Sequence, residues 1–155
     1  HDPDVGADVG PFMMAAINTK NVHRSNLLQG HPYGTDFVYD EMSIIDPKTP
    51  AAFADMPAEG GPQPGEGPSK AEREAGFYDC LFIGIAPDGR KVQVSVYGDK
   101  DPGYGSTSKI IAETAIALVN APDVAGGIWV PGAALGDRLV NRLSDKAGLT
   151  FKVES

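Results

Sequence analysis

The fold of this chain is decided by Phe77-Tyr78-Asp79-Cys80-Leu81-Phe82-Ile83-Gly84-Ile85, which leads through Ala86-Pro87-Asp88-Gly89-Arg90 into Lys91-Val92-Gln93-Val94-Ser95-Val96-Tyr97. The first run is apolar on both faces apart from Asp79, which is typical of a central strand. The last run alternates valines with polar residues, which predicts a half-buried strand. Because Pro87-Asp88-Gly89 has the chemistry of a tight turn, the two strands are predicted to form an antiparallel hairpin.

Helices and further strands are predicted on both sides of the hairpin. One helix is expected over 12–28, entered through Gly10-Pro11, a second over 106–119 and an amphipathic one over 133–143. From Ile110 onward the second helix is nearly all apolar, so it is expected to be buried on most sides. Shorter extended segments are expected at 37–45, 126–131 and 149–154. Together these elements predict an α+β domain, a mainly antiparallel mixed sheet with a central hairpin, covered by helices.

Residues 46–76 form a long connection rich in proline and glycine. Short helices are expected within it over 51–56 and, after a capping Ser69, over 69–75. A connection of this length inside one domain is usually functional, interfacial or mobile, and a solvated connector is the equal alternative.

Composition limits the class of protein. The 155 residues predict one domain, and the net charge of −8 argues against non-specific nucleic-acid binding. No apolar stretch is long enough to span a membrane, and the lone Cys80 fits a reducing, cytoplasmic location. The histidines and Cys80 lack metal-ligand spacing, so no metal site is predicted. The sequence begins at His1 without Met, and we therefore expect a piece of a longer protein.

The run Gly103-Tyr104-Gly105-Ser106-Thr107-Ser108-Lys109 lies between a predicted strand and a predicted helix. Two glycines allow a tight turn and a close approach of another molecule, and a helix N-terminus favours an anion. The run fits a cradle for a phosphate or carboxylate, and it also fits an ordinary strand-to-helix turn. Its S-x-x-K spacing lacks the partner motifs of serine acylases, and Ser108 replaces the third glycine of G-x-G-x-x-G.

The polar second half of the first predicted helix is the other candidate surface. Asn18, Arg24 and Ser25 lie roughly on one face, and asparagines are unfavourable inside a helix. Hydrogen bonding to a substrate is one explanation, and a solvated helix end is the more common one. Tyr33 and Tyr104 are candidate proton donors, although tyrosines are often only half-buried packing residues.

Several motifs occur in the order found in one enzyme family. They are Gly10-Pro11-Phe12-Met13-Met14-Ala15-Ala16-Ile17-Asn18-Thr19, Arg24-Ser25-Asn26, Tyr33-Gly34, Pro64-Gly65-Glu66-Gly67-Pro68-Ser69, Asp101-Pro102-Gly103-Tyr104-Gly105-Ser106-Thr107-Ser108-Lys109, Gly126-Gly127-Ile128-Trp129-Val130-Pro131 and Ala147-Gly148-Leu149-Thr150-Phe151. Across nearly its whole length, the chain resembles the saccharopine dehydrogenase-like oxidoreductases, in particular the bacterial branch that includes the trans-acting enoyl reductases.

The resemblance implies a C-terminal, substrate-side domain over 1–155, because family members carry an N-terminal Rossmann domain and this chain is not itself one. It implies NAD(P)H chemistry, with the cofactor bound mainly by the absent domain, and enoyl reduction in lipid biosynthesis. The resemblance supplies no catalytic residue. From their own chemistry and position, Tyr104 and Tyr33 are the expected catalytic proton donors, Asn18, Arg24 and Ser25 are expected to bind the substrate, and Gly103, Gly105 and Ser106 are expected to bind the cofactor.

Two further expectations concern association and the turn. The apolar hairpin and the helix at 110–119 predict a homodimer, and the rival hypothesis is a non-catalytic dimerisation or scaffolding module. An apolar sheet face wider than its helices can cover would favour that rival. At Gly105, a positive φ predicts that substitution by valine lowers stability, whereas an ordinary φ predicts a larger loss of turnover than of stability.

Overall fold

The computed structural model describes residues 1–45 and 66–154. The chain divides into two compact units, which are described separately. The described residues of the first unit are 1–45 and 128–133, and those of the second are 66–127 and 134–154. The short helix expected over 51–56 and most of the proline- and glycine-rich segment 46–76 lie outside the described residues.

The first unit contains a short sheet and one long helix. Strand β1 (Val9–Pro11) precedes helix α1 (Ala15–Leu28) and pairs antiparallel with strand β2 (Met42–Ile44), with Val9 opposite Ile44. The expected helix therefore starts later than residue 12, because Gly10-Pro11 belongs to β1 and proline is tolerated at a sheet edge. The strand expected over 37–45 is reduced to β2, since the aromatic side chains before it pack on one another instead of joining the sheet.

The second unit begins with helix α2 (Lys70–Ala75). The Ser69 hydroxyl accepts from the Glu72 N–H while the Glu72 carboxylate accepts from the Ser69 N–H, which is a complete capping box. The expected helix over 69–75 with a capping serine is confirmed.

A three-stranded antiparallel sheet forms the centre of the second unit. Its strands are β3 (Tyr78–Ile85), β4 (Lys91–Gly98) and β5 (Leu149–Val153), in the order β3-β4-β5. The hairpin of β3 and β4 is confirmed, with all eight residues of each strand paired. The expectation that β3 is central is wrong within the described residues, where β3 is an edge strand and β4 is central.

Three helices complete the second half of the chain. They are α3 (Gly105–Val119), α4 (Pro131–Leu135) and α5 (Asp137–Lys146). The single helix expected over 133–143 is two helices, because Gly136 between them has a φ of 52°. The extended segment expected over 126–131 pairs with no described strand. The expectation that α3 is buried on most sides is wrong, since Ile111 is 67% exposed and Val119 is 84% exposed.

The core of the second unit is small and lies at one end of the sheet. Its buried side chains are Leu143, Ala147 and Leu149, with Val96, Ile110, Leu139 and Phe151 packed around them. Val96 and Phe151 are opposite each other in the sheet, so α3 and α5 cover this rung. The next rung, Phe82, Val94 and Val153, leaves Phe82 and Val153 exposed.

The predicted α+β class is confirmed. The described residues form two small sheets, and every strand pair in them is antiparallel. The single mixed sheet expected from the sequence is therefore not observed. The described residues also contain no parallel sheet of the Rossmann kind. A search of the same residues finds no helix with the length and hydropathy to cross a membrane.

Candidate functional site

The turn between β4 and α3 is organised by the side chain of Asp101. Its carboxylate accepts the backbone N–H groups of Gly103 at 3.2 Å, Tyr104 at 2.7 Å and Gly105 at 2.8 Å. Its backbone carbonyl accepts the N–H of Ser106 at 2.7 Å. Gly105 and Ser106 are the first two residues of α3, and the N-cap residue Tyr104 makes no side-chain cap bond, so Asp101 satisfies the first two N–H groups of the helix in its place.

The protonation equilibrium of Asp101 follows from the same contacts. Burial favours the neutral acid, but the N–H donors of Gly105, Tyr104 and Gly103 and the nearby positive charge of Arg73 outweigh it. The pKa of Asp101 is therefore lowered from its ordinary value of 3.8. The carboxylate is charged at neutral pH and is the anion at the positive end of the α3 dipole.

The two glycines of the turn have different local environments. Neither has a positive φ. A Cβ on Gly105 would lie 2.8 Å from the carbonyl oxygen of Arg73, whereas a Cβ on Gly103 would meet nothing closer than the Asp101 carboxylate at 3.5 Å. Gly105 is thus required by the close approach of α2, and Gly103 is not required by packing.

Ser106 lies beneath the turn and is fully buried. Its hydroxyl is hydrogen-bonded to the hydroxyl of Tyr78 on β3, 3.0 Å away. Tyr104, by contrast, is 57% exposed, and its ring lies against Gly67. Among residues 103–106, Tyr104 therefore presents its side chain to solvent and Ser106 does not.

The turn does not fit the pyrophosphate of a dinucleotide. Pyrophosphate binding at a helix N-terminus uses free backbone N–H groups and the positive dipole end. At this turn the N–H groups of Gly103, Tyr104 and Gly105 are already bound to the Asp101 carboxylate, whose negative charge also repels phosphate. The assignment of Gly103, Gly105 and Ser106 to the cofactor remains a prediction without support from this geometry.

A second polar site lies in the first unit, around Glu41. One oxygen of its carboxylate accepts the Asn18 side-chain amide of α1 at 2.9 Å. The other accepts the Tyr39 hydroxyl at 2.6 Å, which is a short bond to a carboxylate. Asn18 is partly buried, and its side chain is hydrogen-bonded to the segment that follows α1.

The Tyr39 ring belongs to a group of four rings that we call the aromatic row, which consists of His23, Tyr33, Phe37 and Tyr39. Phe37 is in its middle, with ring centroids 5.5 Å from His23, 5.2 Å from Tyr33 and 6.3 Å from Tyr39. Tyr33 is 63% exposed. The row combines an apolar platform with a hydroxyl or imidazole at its ends.

Asn26 on α1 holds the loop that carries Tyr33. It is buried, and its amide donates to the Gly34 carbonyl at 2.8 Å while its carbonyl accepts the Tyr33 N–H at 3.1 Å. His31 in the same loop has a φ of 62°, a rare conformation for a residue with a side chain, and its Nδ1 is buried without a hydrogen-bond partner among the described residues. Asn26 thus fixes the backbone of a loop that contains strained residues.

The other two residues predicted to bind substrate have contacts inside the unit. The Arg24 guanidinium is exposed and donates to the Ile128 carbonyl at 2.9 Å. The Ser25 hydroxyl donates to the Asn21 carbonyl at 2.9 Å, which satisfies it within the helix. Asn18 is hydrogen-bonded to the segment 31–41, which contains Tyr33, whereas no hydrogen bond or ion pair among the described residues joins Arg24 or Ser25 to it.

Sequence reasoning missed Glu41, Tyr39 and Asn26 as members of this site. The aromatic residues at 33, 37 and 39 were the available signal, but the last two were assigned to the strand predicted over 37–45. Among the residues that the structure describes, no group of three or more His, Cys, Asp or Glu side chains is placed to hold a metal ion.

Comparison with known proteins gives matches to one kind of enzyme. The chain is 31% identical over 159 residues to a protein of Mycobacterium tuberculosis (strain ATCC 25618 / H37Rv) that is provisionally named a trans-acting enoyl reductase. It is 29% identical over 161 residues to the trans-acting enoyl reductase of Mycobacterium ulcerans (strain Agy99). These matches cover 85% and 86% of this chain, and the chain spans 38% of the length of each relative.

The other two comparisons give no match. No protein-family model matches the chain, and no solved structure does. The chain is therefore similar to proteins named for enoyl reduction, in agreement with the branch that the sequence motifs resemble, and neither relative is named a saccharopine dehydrogenase.

Proposed function

We propose that this chain is the substrate-side part of an NAD(P)H-dependent enoyl reductase of the saccharopine dehydrogenase-like kind, acting on an acyl intermediate of lipid biosynthesis in the cytoplasm. The observation that carries the proposal is the similarity to two proteins named trans-acting enoyl reductases over about six-sevenths of the chain. Because the chain spans 38% of their length, the proposal includes an N-terminal Rossmann domain in the remainder. It also includes a homodimer of the whole protein, which the exposed apolar side chains of the sheet favour.

The first unit supplies the groups for binding an unsaturated acyl substrate. The aromatic row offers an apolar platform for the acyl chain, and Tyr33 at its exposed side is the proposed proton donor to the carbon next to the carbonyl. Asn18, Arg24 and Ser25 are the proposed polar contacts of the substrate. For Arg24 and Ser25 this requires exchanging a backbone partner for the substrate.

The second unit contributes less to the proposed chemistry. Tyr104 is the alternative proton donor, because its side chain is exposed beside the turn. Since the Asp101 carboxylate occupies the N–H donors of that turn, we assign the pyrophosphate of the dinucleotide to the part of the longer protein outside this chain.

The test is an enoyl reductase assay on the protein translated from the complete reading frame, with NADPH or NADH and a carrier-bound 2-enoyl thioester. Oxidation of the reduced nicotinamide by the wild type is expected, together with a saturated product seen by mass spectrometry. Tyr33→Phe is expected to lower kcat by about 10²- to 10⁴-fold, the usual contribution of a general acid. The matched control is Tyr97→Phe, a tyrosine of β4 that stacks on Phe77 and is not assigned to the site.

Two results would contradict the proposal. A protein that oxidises neither NADH nor NADPH with any enoyl thioester would remove the reductase assignment. Equal rates for wild type and Tyr33→Phe, with a loss in Tyr104→Phe, would move the proton donor to the second unit.

A second candidate function, a non-catalytic dimerisation or scaffolding module, is favoured by one observation. The core face of the three-stranded sheet continues past its helices, so that Phe82, Val92 and Val153 are exposed apolar side chains. Catalytic inactivity of the complete protein together with stable association would support this candidate.

A further inference from the structure

The two edges of the three-stranded sheet differ in how they are protected. β5 has five residues, and Lys152 forms an ion pair with Glu154 just after the strand, at 2.6 Å. β3 has eight residues with the sequence YDCLFIGI, so its one charged side chain is Asp79. Natural proteins protect sheet edges by short strands, charges, prolines or bulges. β3 has no proline, and its pairing with β4 is unbroken over all eight residues, so it contains no bulge.

The main-chain groups that face outward from β3 follow from the hairpin geometry. Ala86 donates its N–H to the Arg90 carbonyl at 2.9 Å, and hydrogen-bonded pairs alternate along an antiparallel ladder. The even-numbered residues of β3 therefore bond to β4, and the N–H and C=O groups of Asp79, Leu81, Ile83 and Ile85 point to the opposite side. No strand of residues 1–45 or 66–154 pairs with that side.

Both faces of β3 also present apolar side chains to solvent. Leu81 is 43% and Ile85 56% exposed on one face, and Phe82 is 45% exposed on the other. Phe77, just before the strand, is also exposed. A large side chain in full contact with water has a surface of about 200 Å², so the exposed fractions of these four side chains correspond to roughly 400 Å². That is about half of the ~800 Å² per partner of a standard interface, before eight residues of main chain and the neighbouring strands are added.

We propose that β3 pairs antiparallel with β3 of a second copy of this chain about a twofold axis, joining two three-stranded sheets into one of six strands. A twofold axis perpendicular to the sheet keeps each set of side chains on its own face. In a register centred on Phe82 the two Asp79 carboxylates are about 20 Å apart along the strands, so no like charges oppose each other. The interface gives a surface to the homodimer of the proposed function and uses none of its chemistry.

The first test measures association by sedimentation velocity at micromolar concentration. The wild-type chain is expected to be a dimer that dissociates on dilution, and Leu81→Lys is expected to be a monomer because it places a charge at the centre of the interface. The matched control is Val153→Lys on β5, where the side chain is 69% exposed and lies outside the proposed interface. It is expected to remain a dimer. Circular dichroism checks that both variants retain the wild-type fold.

The second test locates the interface in the wild-type sequence. Cys80 is the one cysteine of the chain and is exposed on β3, so a nitroxide attached to it reports the distance between two β3 strands by electron paramagnetic resonance. Pairing through β3 places the two Cys80 positions about 15 Å apart, whereas pairing through β5 separates the β3 strands by five strand spacings, about 24 Å.

Each result either supports or overturns the inference, independently of catalysis. A short distance in a dimer that Leu81→Lys dissolves supports it. A wild-type monomer throughout the micromolar range, a dimer with the long distance, or a Leu81→Lys dimer as stable as the wild type overturns it. An active reductase that is monomeric would contradict this interface and leave the proposed function intact.

Discussion

The glycine at position 105 shows how a single atom can determine the sequence of a turn. Glycine is often required because φ is positive, but φ at Gly105 is not. The requirement comes instead from the Arg73 carbonyl oxygen, which lies 2.8 Å from where a Cβ would be. The expectation that an ordinary φ leaves catalysis as the main reason for this glycine is therefore not supported, because close packing supplies a structural reason.

The first prediction compares the two glycines of the turn. Gly105→Ala is expected to lower the free energy of unfolding by about 1–3 kcal/mol, because the new Cβ forces α2 away from the turn. Gly103→Ala is the matched control and is expected to change it by less than about 0.5 kcal/mol, since its Cβ meets only ordinary contacts. Urea unfolding of both variants measures the difference. Equal stabilities would show that packing does not determine Gly105.

The second prediction concerns Asp101 and pH. Its folded-state pKa is lowered from 3.8, so its carboxylate stabilises the fold above that value, and the stabilisation is lost as the pH falls through the folded pKa. Asp101→Asn keeps one acceptor oxygen but has no charge, and it is expected to lower stability at pH 7 by about 1–2 kcal/mol, as loss of a helix cap does.

The pH profile separates charge from packing at Asp101. As the pH falls below 3.8 and through the lower folded-state pKa, the wild type is expected to lose more stability than Asp101→Asn, so that the two unfolding free energies converge at acid pH. Chemical unfolding at several pH values measures this convergence. Parallel profiles would mean that the Asp101 charge contributes nothing to stability.

At the scale of elements, the sequence predicted the hairpin, the capped start of α2 and β5, where local patterns are strong. It predicted the position of β3 in the sheet wrongly, because apolar residues on both faces indicate eventual burial and not which partner provides it. The same reasoning placed α3 correctly but overestimated its burial, since its apolar residues Ile111 and Val119 are exposed. Elements that an intermolecular contact buries cannot be distinguished by periodicity from elements buried within one chain.

The candidate site was predicted less well than the fold, for a related reason. Asn18 and Tyr33 were predicted from their local setting, whereas Glu41 and Tyr39 become candidates only when the fold brings the Glu41 carboxylate within 2.9 Å of the Asn18 amide. The separation of 23 residues between Asn18 and Glu41 has no signature in a single sequence. Asp101 was likewise not predicted to bind the first N–H groups of α3.

The third prediction concerns the connection between α1 and the loop that carries Tyr33. Asn26→Ala is expected to lower the free energy of unfolding by about 1–3 kcal/mol, because it removes a buried side chain and leaves the partly buried Tyr33 N–H and Gly34 carbonyl without that partner. The matched control Asn21→Ala removes an exposed side chain of the same helix and is expected to cost less than about 0.5 kcal/mol. Equal losses would indicate that the loop is held by contacts other than Asn26.

At the scale of the whole molecule, the turn before α3 decides whether this chain can bind a dinucleotide by itself. The turn with the nearest likeness to a dinucleotide fingerprint contains its own carboxylate, so three backbone donors and the helix dipole are already neutralised. The net charge of −8 adds a general repulsion for a phosphorylated ligand.

The last prediction follows from that occupied turn. Calorimetric titration of the 155-residue chain with NADH and NADPH is expected to show no binding in the micromolar range, because a dinucleotide phosphate would have to displace a carboxylate bound by three N–H donors. The protein from the complete reading frame is expected to bind one of the two dinucleotides, which makes the same titration its own positive control. Micromolar binding by the chain alone would place a nucleotide site on residues 1–155 and contradict the division of roles proposed for the longer enzyme.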